Sequence, residues 1–379
     1  MNRNLLFFNF FLVFFVAIIA QQIIKQDFSQ TQDSNQTQNF NQTVDTYVQS
    51  FPHFSGVICV LKNNNIVHKK AYGYANIDLK NPNTCSTKFA IASNTKTFTA
   101  VAIMILQEQN KLQVHDKVNK YIPGFPDTIT IHHLLTHTSG LPNYNKYWND
   151  VADCLTIKEM VDKTKNWNLE SIPGSPYAYS NTGYLLLAHL IEQVSNMSFS
   201  QFLQHHIFTP LQMLNSGSIN DATYAEHKAL GYQTIDTAYA KNESSDYQII
   251  NDIIAPTPSL HSPLTLTGSG NIYSSIDDMH VWIQSLFSHK IINAQSLASL
   301  ISPHVAMTSS PDRFYGYGCF IDKLSNKRFI DHSGVLVGFL SKVIHFIDDN
   351  ITIIVLTNIE NRQQIDILFD QLPDVVLNL

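Results

Sequence analysis

The chain has 379 residues, of which 44% are hydrophobic and 14% are charged, enough for a sizeable core in one large domain or two interleaved ones. Its formal net charge of −6 gives no basic footprint, which argues against nucleic acid as a partner. The cysteines are widely scattered without metal-ligand spacing, and the sequence assigns no disulfide partners among Cys59, Cys85, Cys154 and Cys319.

The first 20 residues have the pattern of a secretory signal peptide. A basic start at Arg3 precedes a short apolar run that ends in the small residue Ala20, before the polar Gln21. We therefore expect cleavage near Ala20 and a secreted or lumenal protein of the secretory pathway. An uncleaved signal anchor is the alternative, although Asn9 interrupts the run, which is shorter than the roughly 20 residues of a spanning helix. No later segment is apolar enough to span a bilayer.

Residues 21–43 are rich in Gln, Asn, Ser and Thr and poor in aliphatic side chains. Such a segment cannot bury enough apolar surface to offset its chain entropy, so the sequence predicts a disordered linker. A single folded domain is predicted over residues 44–379. Asn-x-Ser/Thr sequons agree with a secretory route and predict a glycoprotein; they begin at Asn35, Asn41, Asn196, Asn242 and Asn350.

The folded part opens with a short amphipathic helix, because apolar residues recur at helical spacing from Val44 to Phe51. Two strands follow, Ser55 to Lys62 and Ile66 to Gly73, joined across an Asn-rich turn as a β-hairpin. The first of them is apolar on both faces, which predicts a central strand.

A Ser-x-x-Lys quartet, Ser93 to Lys96, precedes a mostly apolar helical run that ends at Leu106. One helical turn puts the two side chains on the same face, with roughly 5–6 Å between their Cβ atoms. Apolar surroundings disfavour the ammonium, so Lys96 can act as a base toward the hydroxyl of Ser93. The helix start also offers free N–H groups to an oxyanion. The alternative is a helix cap beside a surface lysine.

From about residue 112 to 262 the pattern is mostly helices and loops. Tyr179-Ser180-Asn181 lies there between a Pro- and Gly-rich turn and a predicted helix, where a rigid loop can present side chains into a groove. A neighbouring ammonium lowers the pKa of a phenol, so we expect Tyr179 beside Lys96 to have a lowered pKa. The alternative is a core tyrosine followed by a turn asparagine.

Strands return near the C-terminus, predicted at Tyr317 to Ile321, Val335 to Phe346 and Ile351 to Thr357, before a final helix around Ile365 to Leu372. Strands at both ends with helices between them predict an α/β (α+β) fold with one antiparallel sheet built from both termini and flanked by helices. Residues 44–111 and 263–379 supply this sheet, and about 112–262 form a mostly helical insert. The site is expected in the groove between the two parts.

His332-Ser333-Gly334 precedes the strand that is predicted to begin at Val335. Gly334 lets a substrate lie along the strand edge, and the N–H of Val335 can complete an oxyanion hole with the N–H of Ser93. The alternative is a strand-entry turn with an incidental histidine.

Together these residues resemble the serine beta-lactamase and penicillin-binding protein family, in its class C and D-alanyl-D-alanine carboxypeptidase branch, which has Ser-x-x-Lys, Tyr-x-Asn and Lys/His-x-Gly in this order. The resemblance extends from about Val44 to about Asn358. It includes further stretches, namely His133 to Pro142, Pro173 to Tyr184, Pro210 to Met213, Gly268 to Ser274 and Tyr315 to Gly318. Several long matches in the right order favour Ser93 as a nucleophile over a helix cap.

The resemblance implies a beta-lactamase/transpeptidase-like fold and a role for each matched residue. Ser93 attacks an amide or ester carbonyl to form an acyl-enzyme, Lys96 and Tyr179 share the proton transfers, and Tyr179 activates the water that releases the acyl group. Asn181 binds the amide side of a small-molecule or peptide substrate. Gly334 and Val335 lie along the substrate. The reaction that the resemblance implies uses no metal and no cofactor. A catalytically inactive binding or scaffold protein is the alternative.

His332 stands where true beta-lactamases have the lysine that holds the substrate carboxylate. A largely neutral histidine binds that group more weakly, which favours an esterase or peptidase over an antibiotic-degrading enzyme. We expect Asp331 to raise the pKa of His332 and partly restore a positive charge at acidic pH. His133 and His137 have zinc-like spacing, but Leu134 occupies the position of a metalloprotease glutamate, so a structural element is favoured there.

Overall fold

The computed structural model of the protein describes residues 38–147, 156–219, 221, 224, 226–234, 249–250, 253–254 and 263–379. The predicted signal peptide, most of the predicted linker, Cys154 and the sequons at Asn35 and Asn242 lie outside these residues. Within the described ranges, no helix combines the length and apolar character needed to cross a membrane.

The described helices are α1 (38–49), α2 (Thr95–Glu108), α3 (Ile131–Leu135), α4 (Ile157–Thr164), α5 (Asn181–Ser195), α6 (Phe199–Leu203), α7 (Ile276–Phe287), α8 (Ala294–Leu300) and α9 (Arg362–Leu377). The described strands are β1 (Gly56–Lys62), β2 (Asn65–Tyr72), β3 (Tyr74–Asn76), β4 (Asn81–Pro82), β5 (Phe89–Ala90), β6 (Gly217–Ser218), β7 (Tyr232–Thr234), β8 (Ile249–Ile250), β9 (Ile253–Ile254), β10 (Ile272–Ser274), β11 (Val305–Met307), β12 (Ser310–Tyr315), β13 (Phe320–Leu324), β14 (Lys327–Leu336), β15 (Phe339–Phe346), β16 (Ile351–Thr357) and β17 (Ile359–Glu360).

The main sheet has eight strands in the order β11-β12-β13-β14-β15-β16-β1-β2. All of its neighbouring pairs are antiparallel, and β1 from the N-terminal part pairs with β16 from the C-terminal part, with Cys59 opposite Ile354. The predicted fold class, an α/β (α+β) protein whose antiparallel sheet comes from both ends of the chain, is therefore confirmed. Helices α3 to α6 lie in the intervening region.

Strand β1 separates two hydrophobic cores because successive side chains of a strand point to opposite faces. Val57 and Cys59 belong to the core that also contains Phe98 of α2, whereas Ile58 and Val60 belong to the core beneath α1 and α9. Both sets are completely buried, which explains the unbroken apolar run of this strand. Packing of α2 on one face of the sheet brings its N-terminal end to the groove between the sheet and the helical region.

The N-terminal boundary differs from the prediction. Helix α1 is already present at residue 38, inside the segment 21–43 that was predicted to be disordered. Val44 and Val48 are 0% and 1% exposed and share a core with Leu368 of α9. Residues 38–43 are the first turns of a helix whose apolar face packs against α9 and the sheet. The local composition of residues 21–43 does not reveal this packing.

The predicted strand Val335 to Phe346 is wrong as one continuous element, because a turn divides it into β14 and β15. Gly338 in this turn has a φ of +79°, and a Cβ at this position would lie 2.6 Å from the Cα of Gly231. The strand predicted at Tyr317 to Ile321 is also shifted, since β13 begins at Phe320.

Candidate active site

Ser93 lies in a 3-10 turn, Ala92–Asn94, that leads directly into α2. Ala92 has a φ of +47°, an uncommon conformation for a residue other than glycine, so the chain turns sharply before the serine. Gly334 of β14 packs against this turn, and a Cβ there would lie 2.2 Å from the carbonyl oxygen of Ile91. The missing side chain at Gly334 thus allows strand β14 to approach the backbone that carries Ser93.

Lys96 is completely buried, one helical turn beyond Ser93. Its Nζ atom lies 3.1 Å from Ser93 Oγ and 2.8 Å from the carbonyl oxygen of Ser269, within hydrogen-bond distance of both. Burial lowers the pKa of Lys96 well below its ordinary value, since the ammonium loses its hydration there. The predicted contact between the Lys96 amine and the Ser93 hydroxyl is therefore present, and burial shifts the pKa of the amine in the predicted direction.

Tyr179 reaches Ser93 from the other side. Its hydroxyl donates a hydrogen bond of 3.0 Å to Ser93 Oγ, and the Lys96 Nζ atom lies 4.8 Å from the centre of its ring. Tyr179 follows Ser93 by 86 positions in the sequence. In the structure, Tyr179 and Lys96 both contact the same atom, Ser93 Oγ. The structure thus brings together the three residues that were predicted to carry the chemistry.

The predicted pKa of Tyr179 is wrong in direction. Burial raises the pKa of this phenol above its ordinary value of about 10, and the hydrogen bond with Ser93 only partly opposes this effect. The expectation relied on a neighbouring ammonium, but the same burial that acts on Tyr179 also disfavours the charged form of Lys96. Tyr179 therefore holds its proton at neutral pH.

Two residues that the sequence argument did not assign to the site support Lys96. Ser269 accepts the lysine hydrogen bond through its carbonyl, while its hydroxyl is hydrogen-bonded to the Tyr144 hydroxyl at 3.1 Å. Thr99, one turn further along α2, donates to the carbonyl of the adjacent Gly268 at 2.7 Å. The Gly268-Ser269-Gly270 cluster was assigned only to a groove wall, and its backbone contact with Lys96 has no sequence signal of its own.

Asn181 is the first residue of α5, two positions after Tyr179, and it lines the cavity beside Ser93. Its Oδ1 atom is buried and has no hydrogen-bond partner among the described residues. Such an acceptor is available to an N–H group of a ligand. The contact of Asn181 with the amide side of a substrate stays a prediction.

Strand β14 offers an open edge on the same side. Its pairing with β13 ends at Asp331, although its pairing with β15 continues to Leu336. Val335 is 41% exposed on this stretch and lines the cavity with Ser93. The backbone beyond His332 is therefore free of a strand partner on one side among the described residues, as an extended ligand needs.

The cavity at Ser93 has a volume of about 200 Å³. Its walls combine polar side chains from the helical region with apolar side chains from β14 and the turn that follows it. The lining residues are Ala92, Ser93, Tyr144, Asn145, Asn181, Leu266, Ser269, Gly270, Val335, Leu336, Val337, Glu360 and Arg362.

His332 does not line this cavity and is only 4% exposed. Its Nδ1 atom lies 2.7 Å from the carbonyl oxygen of Ser333, so Nδ1 carries the proton, and Nε2 faces the Tyr315 hydroxyl at 3.4 Å. Burial lowers the pKa of His332 to about 3, because the imidazolium loses its hydration there. A neutral, inward-facing imidazole cannot act as a positively charged anchor for a carboxylate.

The Asp331 carboxylate acts to raise the pKa of His332, as expected, but burial outweighs this effect, so the net pKa is lowered and the expected gain of positive charge is wrong. Asp331 is buried, and it pairs with Arg313 at 2.7 Å and with Lys342. Burial opposes ionisation of this carboxyl, but the two cations outweigh it and lower its pKa. The Asp331 charge is thus largely balanced by its own partners, and the burial of His332 dominates.

Arg362, which the sequence argument missed, is the exposed cation of the cavity, with 48% of its side chain accessible. Its Nε atom lies 3.8 Å from Oε1 of Glu360, which is completely buried. Oε2 of Glu360 accepts hydrogen bonds from Gln233 Nε2 at 2.9 Å and from the Gly338 N–H at 3.1 Å. No motif marks Arg362, because strand β17 and the start of α9 bring it to the cavity.

The two histidines with zinc-like spacing have separate roles. His133 Nδ1 accepts a hydrogen bond from the Thr130 N–H and closes a capping box at the start of α3. His137 is buried against Tyr179, with 4.4 Å between the ring centres. Among the described residues, no group of three or more His, Cys, Asp or Glu side chains is arranged to hold a metal ion.

Comparison of the chain with known proteins identifies a family and several relatives. A family model described as Beta-lactamase matches residues 40–370. Penicillin-binding protein 4* of Bacillus subtilis (strain 168) is 32% identical over 341 residues, covering 85% of this chain and 74% of that protein.

Solved structures share the fold. The penicillin binding protein from Bacillus halodurans superposes with a TM-score of 0.73 at 26% identity, covering 87% of this chain and 98% of that chain. The D-amino acid amidase from Ochrobactrum anthropi SV3 superposes with a TM-score of 0.77 at 21% identity, covering 89% and 99%, a likeness of fold alone.

Proposed function

The chain belongs to the beta-lactamase family and is a serine hydrolase, and from this premise we propose that Ser93 forms an acyl-enzyme with amide or ester substrates. One observation carries the proposal. Ser93 Oγ has hydrogen bonds with both Lys96 Nζ, at 3.1 Å, and the Tyr179 hydroxyl, at 3.0 Å. A nucleophile that contacts both a base and a proton donor is equipped for acyl transfer.

In acylation, the uncharged amine of Lys96 takes the proton of Ser93 while Oγ bonds to the substrate carbonyl carbon. The lowered pKa of Lys96 supports this role, because a buried amine is free to accept a proton near neutral pH. The N–H groups of Ser93 and Val335 stabilise the resulting oxyanion. When the tetrahedral intermediate collapses, the bond to the leaving group breaks and that group takes a proton, which the Lys96 ammonium returns through the network.

In deacylation, water attacks the acyl carbon and Ser93 Oγ departs. The raised pKa of Tyr179 favours a relay over a preformed phenolate. Tyr179 gives its proton to Ser93 Oγ, along its present hydrogen bond, and takes one from the attacking water. One proton enters the phenol and one leaves, so Tyr179 ends the cycle unchanged.

The substrate we propose is an ester or a peptide-like amide, in preference to a beta-lactam antibiotic. His332 is buried and neutral, so this chain lacks the lysine-type carboxylate anchor at that position. Asn181 Oδ1 supplies an acceptor for a substrate N–H, which favours a ligand with an amide beside the scissile carbonyl. One structure with the same fold belongs to a D-amino acid amidase, and we extend amide hydrolysis to this chain as part of the proposal.

We also propose that the protein enters the secretory pathway and is glycosylated. The signal pattern of residues 1–20 supports this idea. The sequon residue Asn196 is exposed at the C-terminal end of α5, where a glycan is accommodated without unfolding. The test uses protein produced in eukaryotic cells: endoglycosidase treatment should increase its electrophoretic mobility. A mass equal to that of the unmodified 379-residue chain would contradict both signal cleavage and glycosylation.

Covalent labelling tests the catalytic proposal. A fluorophosphonate or fluorescent penicillin probe is expected to label the wild-type protein and to leave Ser93→Ala unlabelled. Ser86→Ala is the matched control, since Ser86 is a serine on the chain before the site with a surface hydrogen bond to Thr84. Failure of the folded wild type to react with either probe or with an ester panel would instead favour the alternative, a binding or scaffold protein.

A further inference from the structure

His137 lies directly behind Tyr179 and contacts the backbone on both sides of it. The Ala178 N–H donates to the carbonyl oxygen of His137 at 2.9 Å, and the Ser180 N–H donates to its Nδ1 atom at 3.1 Å. The imidazole also packs on the Tyr179 ring, with 4.4 Å between centres and an interplanar angle of 34°. Three separate contacts thus fix the position of this one tyrosine.

The same segment holds more of the loop. The Gly174 N–H donates to the Thr138 carbonyl at 2.9 Å, and the Glu170 N–H donates to the Gly140 carbonyl at 2.8 Å. A Cβ at Gly140 would lie 2.0 Å from the Ser171 carbonyl oxygen, so the two backbones are in close contact. Residues 137–140 therefore hold the loop of residues 170–180 in place through backbone hydrogen bonds and close packing. Within this segment, His137 is the residue that contacts Tyr179.

The hydrogen bond from Ser180 determines the protonation state of His137. Because a backbone N–H only donates, Nδ1 must be unprotonated, which leaves the proton on Nε2. Nε2 is buried and has no hydrogen-bond partner among the described residues. Burial lowers the pKa of His137 well below its ordinary value, so Nδ1 remains available as the acceptor.

Stability alone does not account for a histidine at this position. An unpaired buried N–H and a φ of +58° both disfavour the folded state. A hydrocarbon side chain would avoid the first of these costs but would give the Ser180 N–H no acceptor. The imidazole holds residues 178–180 in position. The Tyr179 hydroxyl is the group of this segment that contacts Ser93.

We propose that His137 is a positioning residue of the hydrolase, which orients the Tyr179 hydroxyl toward Ser93 by accepting the Ser180 N–H and stacking on the phenol ring. This inference rests on the proposed function, because it concerns the proton relay of Tyr179. It assigns a role in the reaction to a residue for which the sequence indicated only a structural element.

The test compares His137→Leu, which removes the acceptor, with His137→Asn, which offers Oδ1 to the Ser180 N–H and tolerates a positive φ. His345→Leu is the matched control, since His345 is 3% exposed and makes one Nδ1 hydrogen bond, to Thr352 at 2.9 Å, away from the cavity. Each purified full-length variant is assayed for ester turnover, for the rates of probe capture and release at Ser93, and for its melting temperature.

We expect His137→Leu to lower kcat by about 100-fold, the order of magnitude for a catalytic group misplaced by about 1 Å, with a smaller change in KM. Release of the acyl group should slow more than its capture. His345→Leu should keep kcat within about threefold of wild type even if it melts earlier, and His137→Asn within about tenfold. If His137→Leu does not fold, His137→Asn decides, since a 100-fold loss at unchanged stability would overturn the inference.

A double-mutant cycle separates positioning from general damage. If His137 acts through Tyr179, adding His137→Leu to Tyr179→Phe costs little beyond Tyr179→Phe alone, because the hydroxyl to be oriented is already absent. Multiplicative losses would overturn the inference while leaving the proposed function intact. A wild type that neither captures the probe nor turns over any ester would refute the proposed function itself.

Discussion

Lys96 Nζ lies 2.8 Å from the backbone carbonyl oxygen of Ser269, and this contact fixes the amine that faces Ser93. A carbonyl accepts a hydrogen bond from either protonation state of the amine and adds no full charge. Burial of Lys96 therefore controls its pKa, which lies well below the ordinary value. The site is thus built around a lysine whose surroundings disfavour the ammonium form, and this property leads to the first prediction.

Lys96→Met should abolish acylation yet stabilise the fold at neutral pH. Below about pH 10.5 the unfolded chain binds a proton at Lys96 that the folded chain resists, so the lysine destabilises the folded state increasingly as the pH falls from that value. We expect a melting temperature higher by roughly 2 °C or more at pH 7 and a smaller gain at pH 10. Calorimetry of both proteins checks this.

Lys342→Met is the contrasting control for that prediction, because Lys342 neutralises the buried Asp331. It should lower the melting temperature, since it leaves the buried Asp331 carboxylate with Arg313 as its ion-pair partner among the described residues. A Lys96→Met variant that is less stable than wild type at both pH values would contradict the assignment of an uncharged lysine.

Tyr179→Phe should lower turnover by about 100-fold or more, because the relay to Ser93 Oγ loses its proton. Stopped-flow measurement with a chromogenic ester should show an initial burst followed by slow release. Tyr177→Phe is the control, since Tyr177 also packs on His137, at 5.6 Å between ring centres, and has no hydrogen bond to Ser93. Equal turnover in Tyr179→Phe and wild type would remove Tyr179 from the mechanism.

His332→Gln should make the fold less sensitive to acid. The unfolded chain takes up a proton at His332 as the pH falls below about 6.5, whereas the folded chain does so only near pH 3. The wild type therefore loses stability as the pH falls through this window, and the variant lacks that contribution. Denaturant unfolding at pH 4 and pH 7.5 measures the difference. His205→Gln, at an exposed histidine, is the control for the substitution itself.

Features of this site that depend on residues close together in the sequence were predictable, whereas features that depend on tertiary packing were not. Ser93 and Lys96 are one helical turn apart, so a local pattern is sufficient to predict their contact. The pKa directions of Tyr179 and His332 were predicted with the wrong sign because they depend on burial, which the tertiary fold supplies. A neighbouring charge is visible in a sequence, whereas loss of water is not.

The fold shows the same division. The antiparallel sheet from both chain ends was predictable, because strand-like runs carry their own periodicity. The break between β14 and β15 was not, since Gly338 has its positive φ at a contact with Gly231, about 100 positions earlier in the chain. Arg362 was missed for a similar reason, because strand β17 and the start of α9 place it at the cavity.

Arg362→Gln should weaken binding of substrates that carry a carboxylate. Arg362 is the exposed cation of the cavity, whereas His332 is neutral and buried. Loss of a hydrogen bond to a charged group corresponds to about 1.5–3 kcal/mol, so we expect KM to rise about 10-fold or more for the charged ester. A matched neutral methyl ester should keep its KM. Arg328→Gln, which changes an arginine paired with Asp348, is the control, and equal effects on both esters would contradict this role.

Gly334→Ala should destabilise the fold and impair acylation together. The added Cβ would lie 2.2 Å from the Ile91 carbonyl oxygen and 2.3 Å from Ser341 Oγ, so β14 and the Ser93 turn must separate. We expect a loss of about 1–3 kcal/mol in the free energy of unfolding, with slower probe capture. Gly270→Ala is the control for stability, because its nearest contact would be 3.7 Å away. Equal stability of the two alanine variants would show that strand β14 does not need its close approach to hold the serine turn.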